Sequence, residues 1–348
     1  MIGKRYAKVA AAATLALAVT MATALHAGEA AKRALNVYFI DVEGGQATLF
    51  VAPSGESLLI DTGWPDSAKL IAGTARQAGL KQIDYVVITH YHEDHVGGAA
   101  ALAREIPVGT FIDHGENREP PSPAREPLLR AYQDVLREGK QQHKVVRAGD
   151  DLELRDLKVR IVAADGAVLP QPLPGAGAPN PACGHTEPRP EDLTENGRSI
   201  GMLISFGAVR FLDLGDLTWD REVALMCPAN RIGDAQVYVV SHHGWQESGS
   251  PALVEGIHPR VAIMDNGATK GGSPSAWDII HHAPTVEDLW QLHYSTEGGA
   301  GHNSPAPLIA NVDGPDDHHF LRLTAWPDGR FEVFNSRTGE TKRYEAKR

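Results

Sequence analysis

A dense group of histidines and carboxylates lies at residues 89–95, in the segment Thr-His-Tyr-His-Glu-Asp-His. Three imidazoles and two carboxylates fall within six positions, directly after an apolar run that begins at Ile83. A buried strand that ends here would deliver these side chains to one fixed point. Neutral imidazole and carboxylate are the ligands that zinc and neighbouring transition metals accept. The segment therefore predicts a metal site, whose candidate ligands are His90, His92, Asp94 and His95.

Two later apolar runs end in residues of the same chemistry. Residues 211–216 end in Gly-Asp, and the carboxylate of Asp216 would be able to bridge two metal ions with its two oxygens. Residues 237–244 lead to His242 and His243. An aspartate after a strand is by itself more often a cap or turn residue. Taken together, the three strand ends favour a two-metal site, which polarises a substrate oxygen and supplies a hydroxide bridged by the metals at neutral pH.

Short strands that alternate with helices must position these residues. Apolar runs and helical spacing predict the following elements before and after the middle of the chain: strands at 35–41, 57–61 and 83–89 with a helix at 66–82, then strands at 209–214 and 235–240 with a helix near 219–226. A final hairpin is predicted over 320–334, with its turn at 327–329. This pattern indicates an α/β fold made of two similar halves.

Two stretches interrupt the alternation. Residues 167–190 contain seven prolines, which predicts a loop without strands, although an interdomain linker is the alternative. Residues 270–317 are rich in histidine and tryptophan and are predicted to be an insertion. This insertion is either a lid over the metals or a surface segment that packs through Trp277 and Trp290.

The composition is that of a folded protein. Of 348 residues, 42% are hydrophobic and 22% are charged, which excludes disorder, collagen and coiled coil as classes. The net charge of −11 disfavours a long polyanion such as nucleic acid as the partner, but it permits a small anionic substrate. Cys183 and Cys227 are the two cysteines, and they form either a disulfide or two separate thiols. Oligomeric state leaves no trace in the sequence.

The first residues have the pattern of a secretory signal. Three basic residues precede an apolar stretch at 9–25, and small residues follow it. We expect a signal peptide at 1–27, with cleavage after Ala24 as the alternative, and therefore export of residues 28–348 to the periplasm or beyond as a single domain. The apolar stretch has 17 residues, whereas a membrane span takes roughly 20. A stable membrane anchor is therefore the less favoured interpretation.

These motifs resemble the metallo-beta-lactamase superfamily, in which His-x-His-x-Asp-His is the defining motif. Within it, the chain is similar to the hydrolase-like domain of ComEC-type proteins over about residues 35–265. The closer resemblance is carried by Val-Tyr-Phe-Ile-Asp-Val at 37–42, Leu-Ile-Asp-Thr-Gly at 59–63, Gly-Asp-Leu at 215–217 and Ser-His-His-Gly at 241–244.

The resemblance implies a four-layer αββα sandwich with the metals at one edge of its sheets. It implies that the first metal is held by His90 and His92, the second by Asp94 and His95, and both by a bridging Asp216. His242 would be the terminal ligand of the second metal, with His243 as the alternative. Asp61 would orient a ligand histidine, although a turn aspartate before Gly63 is the alternative. His185, in a Gly-His pair, is either a further ligand of the first metal or a loop residue.

The expected function is that of an exported, metal-dependent hydrolase. Zinc is the default metal, with manganese or iron as alternatives. The resemblance favours a phosphodiester substrate, a class that includes nucleic acid. A lactone, a beta-lactam or another small ester or amide is the alternative. From a different class, a non-catalytic metal-binding or interaction domain is a third hypothesis. The chain departs from the ComEC-type pattern at residues 43–46 and at 270–274, and both departures leave the substrate open.

Overall fold

The computed structural model describes residues 33–312 and 318–346. The predicted signal peptide at residues 1–27 lies outside these ranges. Within them, two large sheets face each other, and helices cover the outer surface of each sheet. The predicted αββα sandwich is therefore confirmed. No helix in the two described ranges has the length and apolar character that crossing a membrane requires.

The first sheet has nine strands in the order β18-β17-β16-β1-β2-β3-β4-β5-β6. From β3 to β6 the neighbours run parallel, whereas the rest are antiparallel. Its strands are β1 (Leu35–Phe39), β2 (Thr48–Val51), β3 (Ser57–Ile60), β4 (Ile83–Val87), β5 (Val108–Asp113), β6 (Gln142–Val145), β16 (Leu321–Ala325), β17 (Phe331–Asn335) and β18 (Thr341–Tyr344).

The second sheet has the order β15-β14-β13-β12-β11-β10-β8-β7, with β9 beside β8. From β11 to β15 the neighbours run parallel. Its strands are β7 (Asp151–Glu153), β8 (Lys158–Ala164), β9 (Ala167–Val168), β10 (Gly201–Phe206), β11 (Val209–Asp213), β12 (Val237–Val239), β13 (Val261–Met264), β14 (Asp288–His293) and β15 (Ile309–Asn311).

Seven α-helices form the outer layers of the described chain. The first sheet is covered by α1 (Ala68–Gln77), α2 (Glu93–Val96), α3 (Ala99–Glu105) and α4 (Arg125–Glu138). The second sheet is covered by α5 (Trp219–Met226), α6 (Pro251–Gly256) and α7 (Pro274–His281).

The main core lies between the two sheets. Alternate residues of β1 point into it, and Leu35, Val37 and Phe39 are all buried there. Phe50 from the first sheet meets Phe211 from the second in an edge-to-face contact, with ring centroids 5.4 Å apart. Burial of each such side chain contributes roughly 1.5–3 kcal/mol, so this core holds the two sheets together.

The strands that carry the candidate ligands end at the same edge of the sandwich. The chain turns sharply after β11 at Gly215, whose φ is +54°. A Cβ at this position would lie 2.9 Å from Thr89, at the end of β4 in the other sheet. Glycine is therefore needed here, because it permits both the positive φ and the close approach of the two strand ends.

The structure corrects two of the sequence predictions. The proline-rich stretch 167–190 is not entirely irregular, because Ala167–Val168 pairs with β8 and Pro181–Gly184 forms a 3₁₀ turn. The predicted insertion at 270–317, of which residues 270–312 are described, is not a surface segment. It supplies α7, β14 and β15, and β14 continues the second sheet in parallel with β13. Apolar residues in β14, among them the buried Trp290, are what fix this strand against the core.

Cys183 and Cys227 form a disulfide that ties the proline-rich stretch to the end of α5. The two cysteines are 44 residues apart in the chain, and the sequence alone does not show whether they meet.

This crosslink generates a stability prediction. Cys183→Ser should lower the free energy of unfolding by about 2–4 kcal/mol, because the unfolded chain loses a covalent loop closure. Denaturant titration of the variant and of the wild type, with and without reductant, measures the effect. Cys227→Ser is the matched control and should match Cys183→Ser. A wild type whose unfolding midpoint is unmoved by reductant would contradict the disulfide.

Candidate metal centre

The first motif is delivered by the end of β4 and the start of α2. His90 lies three residues after the last residue of β4 and is fully buried. His92 stands at the N-terminal cap of α2, with an extended backbone. The helical turn that follows holds Asp94 and His95, and both side chains are buried. The spacing of the motif thus divides its side chains between a strand end and a helix start.

Asp216 lies at the centre of the site, and each of its carboxylate oxygens faces two imidazoles. Oδ1 lies 3.3 Å from Nε2 of His95 and 3.4 Å from Nε2 of His243. Oδ2 lies 3.5 Å from Nε2 of His242 and 3.8 Å from Nε2 of His90. The carboxylate therefore divides the histidines into two groups.

The group on the Oδ1 side is compact and buried. The Nε2 atoms of His95 and His243 are 3.2 Å apart. Oδ2 of Asp94 lies 3.3 Å from the first of these atoms and 3.2 Å from the second. Together with Asp216, these residues offer four ligand atoms that all lie within 4.8 Å of one another. The structure places His243 in this group, and not His242.

The group on the Oδ2 side contains His90, His92 and His242. The rings of His90 and His92 contact each other, with centroids 4.7 Å apart. Nε2 of His92 points away from the cluster, 3.3 Å from Oε1 of Glu119. The Nδ1 of His92 is therefore the nitrogen that is left for a ligand. Nε2 of His242 lies 3.3 Å from the side-chain nitrogen of Asn196.

Carboxylates behind the cluster lie beside two of the imidazoles, and one of them, Asp61, is hydrogen-bonded to its ring. Asp61 accepts hydrogen bonds from the backbone N–H and the hydroxyl of Thr89, at 2.7 and 2.6 Å, and its Oδ2 lies 2.7 Å from Nδ1 of His95. This contact directs Nε2 of His95 toward Asp216. On the opposite side, Oδ1 of Asp265 lies 3.3 Å from Nδ1 of His243. Such outer carboxylates fix the tautomer and the orientation of metal-binding histidines.

The electrostatics differ between the two groups. Burial, together with the neighbouring imidazoles, holds the pKa of His90 well below its usual range, so this ring is neutral. Burial opposes the charging of His95 and His243 too, but nearby carboxylates outweigh it. They raise the pKa of His95 well above its usual range and that of His243 to about 9. Burial likewise opposes ionisation of Asp216, yet the adjacent imidazoles, His95 foremost, bring the pKa of this carboxyl well below its usual value.

The residues present fit a pair of cations. Nε2 of His90 and Oδ1 of Asp216 are buried and have no hydrogen bond of adequate geometry with any described residue. Orphaned polar atoms of this kind are rare in protein interiors. In addition, the Oδ1 group brings two carboxylates against two imidazoles, and the carboxylates raise the pKa of both rings, so this group favours positive charge. A divalent cation would supply that charge, because metal binding and proton release are coupled.

One candidate is not part of the cluster. The side chain of His185 is 57% exposed, and its Nε2 lies 2.9 Å from Oε1 of Glu255 on α6. It therefore belongs to the surface beside the disulfide.

Other residues of the site were missed by the sequence reasoning. Glu119 and Asp265 support ligand histidines, and Lys270 contacts Asp94. For Asp265 the position directly after β13 was a usable signal, because the three neighbouring strand ends already carried candidates. Glu119 lies in an irregular stretch and gave no such signal.

A second polar group lies beside the site. Nε2 of His293, at the end of β14, is 2.7 Å from Oδ1 of Asp41 and 3.1 Å from Oε1 of Glu43. Burial opposes protonation of His293, but these two carboxylates raise its pKa to about 9. Asp41 also accepts a hydrogen bond from the amide of Asn311. This ion pair ties the end of β1 to the second sheet.

Parts of this chain are similar in sequence to known proteins. ComE operon protein 3 of Bacillus subtilis (strain 168) is 24% identical over 248 residues, which are 66% of this chain and 28% of the relative. Ribonuclease Z of Methanopyrus kandleri is 30% identical over 130 residues, 34% of this chain and 40% of the relative. The atrochrysone carboxyl ACP thioesterase dmxR1 of Cryptosporiopsis sp. is 35% identical over 86 residues, 24% of this chain and 26% of the relative. The chain thus spans well under half the length of each of these relatives.

A solved structure and a family model complete the comparison. The metallo-beta-lactamase fold protein YhfI from Bacillus subtilis aligns with a TM-score of 0.45 at 12% identity, over 74% of this chain and 95% of that one. The model described as the metallo-beta-lactamase superfamily matches residues 40–188, which include the whole His-x-His-x-Asp-His motif. Over residues 40–188, which hold this motif, the chain is thus similar to the metallo-beta-lactamase superfamily.

Proposed function

We propose that the chain is an exported hydrolase that uses two divalent metal ions to cleave phosphodiesters. One observation carries the proposal: the two oxygens of the buried Asp216 each face a separate pair of imidazoles. A carboxylate in this arrangement is suited to bridge two cations. A single-metal site has no need for a carboxylate shared in this way.

The geometry supports a specific distribution of ligands. His90, His92 and His242 would hold the first metal together with Oδ2 of Asp216. Asp94, His95 and His243 would hold the second metal together with Oδ1. When bound, such a pair lowers the pKa of a water between the ions and polarises a substrate oxygen. Zinc suits this set best, because imidazole predominates in it, although manganese and iron also accept mixed imidazole and carboxylate ligands.

The protein's own residues contribute orientation of the ligands. Asp61 would keep Nε2 of His95 aimed at the second metal, and Glu119 would do the same for Nδ1 of His92. Both carboxylates belong to wider networks, since Thr89 donates twice to Asp61 and Arg125 pairs with Glu119. We therefore assign these two carboxylates a positioning role.

The choice of a phosphodiester rests on the likeness to ComEC-type domains and on a relative named as a ribonuclease. A small ester or amide is the second candidate, which the relative named as a thioesterase favours. For export, the support is the signal-like sequence at 1–27 together with the disulfide, since disulfides persist in oxidising compartments.

The central prediction concerns turnover. Asp216→Ala should lower the kcat for bis(p-nitrophenyl) phosphate by more than about 100-fold, because both metals lose a shared ligand. Absorbance assays on metal-loaded protein measure it, and circular dichroism checks that the fold is retained. Asp328→Ala, at an exposed hairpin turn, is the control. Equal turnover by Asp216→Ala with both metals bound would contradict the proposal.

The ligand distribution predicts metal content. After dialysis, His242→Ala and His243→Ala should each retain about one metal ion per chain, whereas His185→Ala should retain about two. Inductively coupled plasma mass spectrometry gives these ratios. Loss of metal from His185→Ala, or full content in His242→Ala, would overturn the assignment.

The role of Asp61 predicts a change in affinity without loss of the site. Asp61→Asn should weaken metal binding by about 10- to 100-fold, because the ligand His95 loses its anionic partner. Competition with a chromophoric chelator measures the dissociation constants. Asp84→Asn is a matched control, because the Asp84 carboxylate likewise accepts a backbone N–H and a hydroxyl, both from Ser57. Equal weakening in the two variants would refute a specific role.

A further inference from the structure

Lys270 lies at the edge of the metal centre, in the loop after β13. Its Nζ is 2.6 Å from Oδ2 of Asp94 and donates a hydrogen bond of 2.7 Å to the backbone carbonyl of Gly44. The lysine lies in a loop that extends from the second sheet, whereas both of its partners lie in segments that follow strands of the first sheet. It is one of the positions at which the chain departs from the ComEC-type pattern.

The backbone around Lys270 is built to hold this side chain in place. The N–H of Gly267 bonds the carbonyl of Lys270, which closes a tight turn. Gly44, whose φ is +73°, packs against that turn so closely that a Cβ would lie 2.9 Å from both the nitrogen of Gly267 and the Cβ of Lys270. The contact between the two loops therefore fixes the lysine stem and aims its ammonium group at Asp94.

The ammonium group keeps access to solvent and to one more partner. A lysine has three N–H donors, and the contacts within the described chain, with Asp94 and Gly44, account for two of them. The side chain is 28% exposed. The indole of Trp64 stands nearby, with its centroid 5.9 Å from Nζ. One donor is thus left over for a ligand.

Once cations are bound, orientation of Asp94 accounts for only one of the lysine's donors, because a ligating carboxylate commonly accepts such a hydrogen bond. Asp94 would then bind a divalent ion directly, and a further positive charge beside that ion would be repelled. The repulsion disappears when an anion occupies the site. A fixed lysine next to a dication is therefore suited to the recognition of a negatively charged ligand.

We propose that Lys270 binds a negatively charged phosphoryl oxygen of the substrate and so selects anionic phosphate esters over neutral esters and lactones. This inference rests on the proposed function, because it assigns the substrate class of the same site. In an otherwise acidic protein, the lysine and the metals would together provide the local positive charge that such a substrate needs.

Inorganic phosphate is the probe for the first experiment. Isothermal titration calorimetry on the metal-loaded full-length protein should give a dissociation constant about 10- to 100-fold higher for Lys270→Met than for the wild type, because a charge-assisted hydrogen bond is lost. Lys270→Arg should lie between the two, since it keeps the charge. Lys342→Met is the matched control, because Lys342 also pairs with a carboxylate, Asp288, but lies on the last strand. Metal content is measured for every variant.

Turnover supplies the second readout. In Lys270→Met, kcat/KM should fall about 10- to 100-fold for bis(p-nitrophenyl) phosphate, mostly through KM, and by less than about threefold for the neutral p-nitrophenyl acetate. Phosphate binding by Lys270→Met equal to that of the wild type would overturn the inference. So would an absence of phosphate binding in the wild type, or a loss of metal from Lys270→Met that accounts for the weaker binding. Lys270-dependent phosphate binding without diester turnover would sustain the inference and refute the proposed function.

Discussion

A carboxylate that is removed from water must be neutralised, and most of the candidate centre serves this requirement of Asp216. Asp216 is 2% exposed, and four imidazoles surround its carboxylate. Leaving one such charge unpaired in a protein interior would cost several kcal/mol. On the Oδ1 side, the carboxylates raise the pKa of His95 and of His243, so this side of the site favours positive charge. Two bound cations would supply that charge, and they would also satisfy the orphaned nitrogen of His90.

The arrangement of the two sheets follows from the same requirement. The histidines around Asp216 come from the segment that follows β4 in one sheet and from the turn that follows β12 in the other, so the site exists only when the sandwich is closed. The core between the sheets, with contacts such as that of Phe50 with Phe211, closes it. At the rim, the ion pair of His293 with Asp41 joins the two sheets again. Packing of the two sheets against each other thus also assembles the site.

Much of the centre could be predicted from the sequence because strand ends are readable. An apolar run followed by His90, or by Gly215 and Asp216, marks both a buried strand and the point that it reaches. What could not be predicted depends on backbone turns. His242 and His243 are adjacent in the chain, and both have positive φ, so they diverge to opposite oxygens of Asp216. No periodicity specifies that divergence.

The same limit applies to His185 and to β14. A Gly-His pair carries no information on whether its loop reaches the site, and in the structure it ends on the surface, beside the disulfide. The histidines of residues 270–317 suggested an insertion, whereas its buried tryptophan and leucines make it a continuation of the second sheet. The crystal structure of the metal-loaded protein, with anomalous diffraction recorded at the metal edge, tests the central claim most directly. The account predicts two anomalous peaks, one beside each oxygen of Asp216 and roughly 3.5–4 Å apart. A single peak, or none beside Asp216, would contradict it.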